Sequence, residues 1–71
     1  MQRSSVESST LLSAGYDVGR KVLELEFTSG QVYQYFKVPA TVYRRLMKAA
    51  SHGEYFNNYI KDEYDFIRLT G

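Results

Sequence analysis

The chain contains no cysteine, which removes disulfide cross-links and thiolate metal sites from the devices that could hold so short a protein together. Tryptophan is also absent, and histidine and proline occur once each, as His52 and Pro39. A lone histidine leaves little from which to build a nucleophile with its base or a nitrogen-rich metal set. The five glycines are scattered rather than clustered, so there is no glycine-rich phosphate loop. Long apolar runs are missing as well. Nothing approaches the roughly 20 residues that span a bilayer, and the opening stretch MQRSSVESST lacks the apolar segment of a secretory signal. The expectation is a soluble, cytoplasmic protein without a membrane role. Excess charge of one sign is lacking too. Nine Lys and Arg against eight Asp and Glu give a net charge of +1, which argues against nucleic-acid binding by bulk charge alone.

Aromatic residues are what the chain has in quantity: seven Tyr and four Phe among 71 residues. A domain of this length buries only about 60% of its unfolded surface, so large rings must supply much of the burial. Charge is unevenly spread. Arg20, Lys21, Lys37, Arg44, Arg45 and Lys48 outnumber Glu24 and Glu26 in the middle of the chain, whereas Glu54, Asp62, Glu63 and Asp65 outnumber Lys61 further on. That pattern predicts a basic side and an acidic side.

Residues 1–9 are Ser-rich and aperiodic and read as a loose tail, leaving 10–71 as one domain. Alternation over 11–16 suits a short strand, with Leu12, Ala14 and Tyr16 sharing one face. Asp17 to Arg20 reads as a turn, with Asp17 bonding its own backbone and Gly19 taking a positive φ. The clearest alternation is KVLELEF, residues 21–27, where Leu23, Leu25 and Phe27 point one way and Val22, Glu24 and Glu26 the other. Thr28-Ser29-Gly30 turns the chain into a third strand over 31–37. Pro39 opens a helix, along which Val42, Tyr43, Leu46, Met47 and Ala50 form one apolar stripe. This helix is expected to end near Ser51 with Gly53 as its left-handed cap. Ser51 and Glu54 are spaced as a capping box for a second helix over 54–60, pairing Phe56 with Ile60. YDFIRL, residues 64–69, reads as a fourth, edge strand or as a tail packed on the sheet. The predicted fold is therefore α+β: a three- to four-stranded antiparallel meander with one or two C-terminal helices on one face.

The turn at residues 28–30 decides where the tyrosines point. A two-residue turn pairs Leu25 with Gln34 and sends Tyr33 and Tyr35 to the open face beside Glu24 and Glu26. A three-residue loop with left-handed Gly30 pairs Leu25 with Tyr33 and Leu23 with Tyr35, making the tyrosines core residues and leaving Val32 and Phe36 exposed. Thr-Ser-Gly suits the second arrangement better.

The segments SAGYD, LELEFTSGQVYQYFKVPATVY and GEYFNNYI together resemble the KTSC family over 8–69. This domain is named from the C-terminus of some lysyl-tRNA synthetases and is also found as a stand-alone bacterial protein. The family's central Tyr-x-Tyr is met by Tyr33-Gln34-Tyr35. The resemblance implies a small α+β domain for which RNA binding has been suggested.

Two functions follow as expectations. One is single-stranded RNA binding, with bases stacking on Tyr33 and Tyr35, or on Phe36 if the tyrosines are buried, and with Lys21, Lys37, Arg44, Arg45 and Lys48 holding phosphates. The other is protein interaction through an aromatic sheet face or an exposed edge strand. Catalysis is not expected, since His52 falls at a helix end, where bonding the helix C-terminus would explain it. Glu24 with Glu26, or Asp62 with Glu63 and Asp65, make no convincing metal set, so no metal or cofactor is expected. A monomer is the expected state.

Overall fold

The computed structural model describes residues 1–69. It holds five antiparallel strands in sequential order, β1 (Ser4–Ser5), β2 (Leu11–Asp17), β3 (Val22–Phe27), β4 (Val32–Tyr35) and β5 (Phe66–Arg68). Two helices, α1 (Ala40–Lys48) and α2 (His52–Tyr59), lie between β4 and β5 in the chain. The fold class is the predicted α+β; β5 is the edge strand, one of the two readings of 64–69, and β1 adds a fifth strand beyond the three or four expected. Residues 1–9, expected as a loose tail, carry β1, where Ser4 pairs with Ala14 and Ser5 with Ser13. A lone Val6 in a serine-rich stretch does not announce a strand, yet it packs against the core and its N–H donates to the Leu12 carbonyl at 3.0 Å, and Arg3, described below, adds a charged hold.

The loop between β3 and β4 follows the three-residue arrangement. Gly30 takes φ of 93°, its N–H donates to the Phe27 carbonyl, and the ladder pairs Leu25 with Tyr33 and Leu23 with Tyr35. Tyr33 and Tyr35 therefore share the helix-covered side with Leu23 and Leu25. They form no platform on the open face. Val32, expected to be exposed in this register, is buried, and Phe36 is half-buried. The chain returning as β5 shelters this part of β4, with the Leu69 N–H donating to the Val32 carbonyl at 2.8 Å and the Phe36 N–H to the Asp65 carbonyl at 2.9 Å.

Strand β2 departs from simple alternation. A bulge between Leu11 and Ser13 inserts one extra residue, so Leu11 opposes Phe27 and joins Ala14 in the core while Leu12 turns outward. At the following turn the Asp17 carboxylate accepts from the Arg20 N–H as expected, but Lys21, not Gly19, takes the positive φ. Lys37 does the same after β4. These two left-handed lysines flank one junction, where the Val38 N–H donates to the Lys21 carbonyl and the Tyr16 hydroxyl donates to the Val38 carbonyl.

The core joins Leu11, Leu23, Leu25 and Tyr35 from the sheet to Val38, Leu46, Phe56 and Ile60. Helix α1 follows Pro39 and lays Val42, Tyr43, Leu46 and Met47 on that core; Ala50, counted in its stripe, is exposed beyond its end. Ser51 accepts from the Glu54 N–H, the predicted cap, so α2 starts at His52. Gly53 is not a left-handed terminator. It sits inside α2, where a Cβ would stand 2.7 Å from the Thr10 hydroxyl. Glycine is needed there for the helix to approach the segment that leads into β2. His52 places Nδ1 2.7 Å from the Leu46 carbonyl, the interaction with a helix C-terminus foreseen for it.

Candidate functional site

The bulged loop puts Tyr33 and Tyr35 on the helix side of β4, and β5 adds to the same side because Phe66 pairs with Tyr35. Helix α2 contributes Phe56 from above, and β3 contributes Phe27. The five rings bound a cleft of about 390 Å³, rimmed by Thr10, Thr28, Ser29, Gln31, Lys61 and Asp62. That size lies within the range of ligand pockets, roughly 300–1,000 Å³.

The rings brace one another. Tyr33 and Tyr35 lie near-parallel with centroids 6.3 Å apart, and Phe66 stands 5.5 Å from each. Phe56 meets Tyr35 and Phe27 edge to face at 5.8 and 5.2 Å. Such contacts favour one arrangement of the wall and hold it before any ligand arrives. Phe66 is 52% exposed and forms the open lip, while Tyr35 is only 3% exposed and forms the floor.

The two tyrosine hydroxyls differ. That of Tyr33 donates to Gln31 Oε1 at 3.3 Å. The Tyr35 hydroxyl has no hydrogen-bond partner among the described residues, and burial, followed by the neighbouring Tyr33, pushes its pKa up to about 12. It stays protonated, able to donate, across any physiological pH.

The residues expected to bind nucleic acid fall into separate places. Tyr33 and Tyr35 line the cleft. Lys21 and Lys37 are exposed beside the Val38 junction, and Phe36 is half-buried next to it without entering the cleft lining. Arg44, Arg45 and Lys48 are exposed on α1, which packs toward β2 and contributes nothing to the cleft. The cations nearest the aromatic wall are instead Lys61, in the lining, and Arg68, opposite Tyr33 on β5. Sequence reasoning missed both. Lys61 sat in an acidic run, and the alternation of Phe66 with Arg68 was the only sign that β5 would deliver one ring and one cation to the same face.

The opposite face is occupied by a polar network. Arg3 reaches across it, donating to Glu24 and Ser13 and lying 3.8 Å from Glu26. Ser13 donates to Glu26 at 3.0 Å and Gln34 to Glu24 at 2.9 Å. Glu24 is 6% exposed. A carboxylate at that depth needs this cation and these donors, and together they help to hold β1.

Comparison with known proteins places this architecture. The family model described as KTSC domain matches residues 7–64. An uncharacterised protein of Stutzerimonas stutzeri is 42% identical over 64 residues, covering 90% of each chain. A lysine–tRNA ligase of Nostoc is 41% identical over 64 residues, 90% of this chain but only 11% of the ligase. The crystal structure of a KTSC domain protein from Yersinia pestis superposes with a TM-score of 0.95 at 36% identity, covering 97% of both chains.

Proposed function

The chain belongs to the KTSC domain family, and from that premise we propose that it is a non-catalytic binding module for single-stranded RNA, with the aromatic cleft as its contact site. The observation that carries this reading is the half-exposed Phe66 beside Tyr33 at the lip of a preformed aromatic cavity, with Lys61 in the same lining. An unstacked base gains about 1–3 kcal/mol from an aromatic partner, and a nearby ammonium group attracts its phosphate. The occurrence of a similar 64-residue stretch in a lysine–tRNA ligase supports RNA as the partner. Lys21 and Lys37, or the α1 cations, would then hold flanking phosphates rather than the base.

The test is the affinity of a labelled short single-stranded RNA at two salt concentrations, for the natural chain and for Lys61→Gln. Binding that weakens with salt, and a slope of log K against log salt shallower by about 0.7 in the variant, is the expected result. Absence of binding at low salt would overturn the reading.

One observation favours a second reading, capture of an extended protein segment. Strand β5 is an edge of the sheet, and Phe66, Ile67 and Leu69 are about half exposed. Asp65 and Leu69 bond inward to β4, so by alternation the backbone groups of Phe66 and Arg68 face outward. A strand added there would gain main-chain bonds and apolar contact. Its affinity would be nearly indifferent to salt.

A further inference from the structure

The cleft has a feature that surface stacking does not use: its floor. Tyr35 is nearly fully buried, yet its hydroxyl has no partner among the described residues. It is the ring that is buried; a hydroxyl without a protein partner at the end of such a ring is left to bond water or a guest. No described side-chain N or O atom that is fully shut off from solvent lacks a partner, so the hydroxyl is not sealed off, and the residue that carries it lines the cleft. Around it the wall is aromatic on several sides, and the rim offers neutral groups, Gln31, Thr28 and Thr10, along with one cation, Lys61, and one carboxylate, Asp62. Because Tyr33 occupies Gln31 Oε1, the Gln31 amide nitrogen is left as that side chain's donor.

We propose that the cleft is a pocket for one whole nucleobase, inserted past Phe66 and accepting a hydrogen bond from Tyr35, with the phosphate of the same nucleotide on Lys61. This deepens the RNA reading and rests on it. A cavity bounded by five rings rewards a flat, apolar-faced guest. An acceptor on the guest's edge would answer the Tyr35 hydroxyl, as a ring nitrogen or carbonyl of a base does, and the Gln31 amide could bond a second edge atom. A single lysine beside a carboxylate suits one phosphate and disfavours a second. A simple hydrocarbon would leave Tyr35 unanswered, and a cationic guest would meet Lys61. The inference differs from stacking on an exposed platform in predicting that a free mononucleotide, without a strand, is enough.

The experiment is a titration of isotope-labelled full-length protein with the four ribonucleoside 5′-monophosphates and, separately, with a short single-stranded RNA at low salt. The expected result is that at least one mononucleotide shifts the amides of Gln31, Tyr33, Tyr35, Lys61 and Phe66. Tyr35→Phe should weaken that binding about fivefold, the worth of one hydrogen bond, with an unchanged melting temperature. RNA that binds while no mononucleotide perturbs the cleft overturns the pocket and leaves the RNA reading standing. A mononucleotide bound in the cleft with RNA refused keeps the pocket and overturns the RNA reading. Equal affinity in Tyr35→Phe overturns the role given to the hydroxyl.

Discussion

Tyr35 joins fold and site in one side chain. Its ring is core, packed on Phe56 and Phe66, while its hydroxyl is free of protein partners among the described residues. Its folded pKa, raised to about 12 from 10.0, means the folded state holds the phenolic proton where the unfolded chain releases it. The stability this linkage protects is fully present below pH 10 and falls as pH rises from about 10 to about 12. Tyr35→Phe should therefore unfold at the same temperature at neutral pH and lose less stability than the natural chain over that alkaline window, as thermal melts at stepped pH would read. If the hydroxyl made a structural bond, Tyr35→Phe would instead be destabilised at neutral pH. Gly15 gives a second prediction at this scale. A Cβ there would overlap the backbone oxygen of Gln2, so Gly15→Ala should displace the N-terminal segment. The expected cost is about 1–3 kcal/mol, with hydrogen-exchange protection lost at Ser4 and Ser5 first. Unchanged protection there would contradict the contact.

At the scale of elements, turns and edges rather than apolar periodicity decided the outcome. The β3–β4 register was open to two arrangements, and Thr28-Ser29-Gly30 held the clue: a left-handed glycine ending a three-residue loop fixes which way Tyr33 and Tyr35 point. Gly30→Ala should cost about 1 kcal/mol, since its φ of 93° is strained for any side chain although there is open space for a Cβ. Helix α2 was legible through Ser51 and Glu54. The bulge at Leu12 was not, because both leucines are apolar and only the pairing with β3 decides which is buried. Strand β1 was illegible for a different reason. Its hold comes from two isolated residues in a serine-rich stretch, Arg3 meeting Glu24 and Glu26 of a distant strand and Val6 packing on the core. Arg3→Ala should leave the Glu24 carboxylate buried without its cation and cost on the order of 2–3 kcal/mol. Glu24→Gln in the same background should recover part of that loss in chemical denaturation. No recovery would mean that Arg3 acts by packing alone.

Across the whole molecule, aromatic residues do two jobs on one side of a five-stranded sheet. They fill a small core, and where β4, β5 and α2 diverge they leave a cleft. The candidate site was half legible: Tyr33 and Tyr35 were singled out, but as alternatives, core or surface, and the structure makes them wall and floor of the same cavity. Phe56, Phe66 and Lys61 could not be joined to them from the sequence, because they lie more than twenty residues on and arrive only through the helix pair and the returning strand. The basic residues of α1 were prominent in the sequence and stand away from the cleft. Replacing Arg44, Arg45 and Lys48 together by Gln should therefore leave base insertion intact and alter only the salt dependence contributed by flanking phosphates.

The most direct test of the central claim, that this domain holds RNA through the cleft, is to map amide shifts on the labelled protein during titration with short single-stranded RNA at two salt concentrations. The account predicts shifts centred on Gln31, Tyr33, Tyr35, Lys61 and Phe66, diminished at the higher salt. Silence at low salt, or shifts confined to α1 and the Lys21–Lys37 junction, would contradict it.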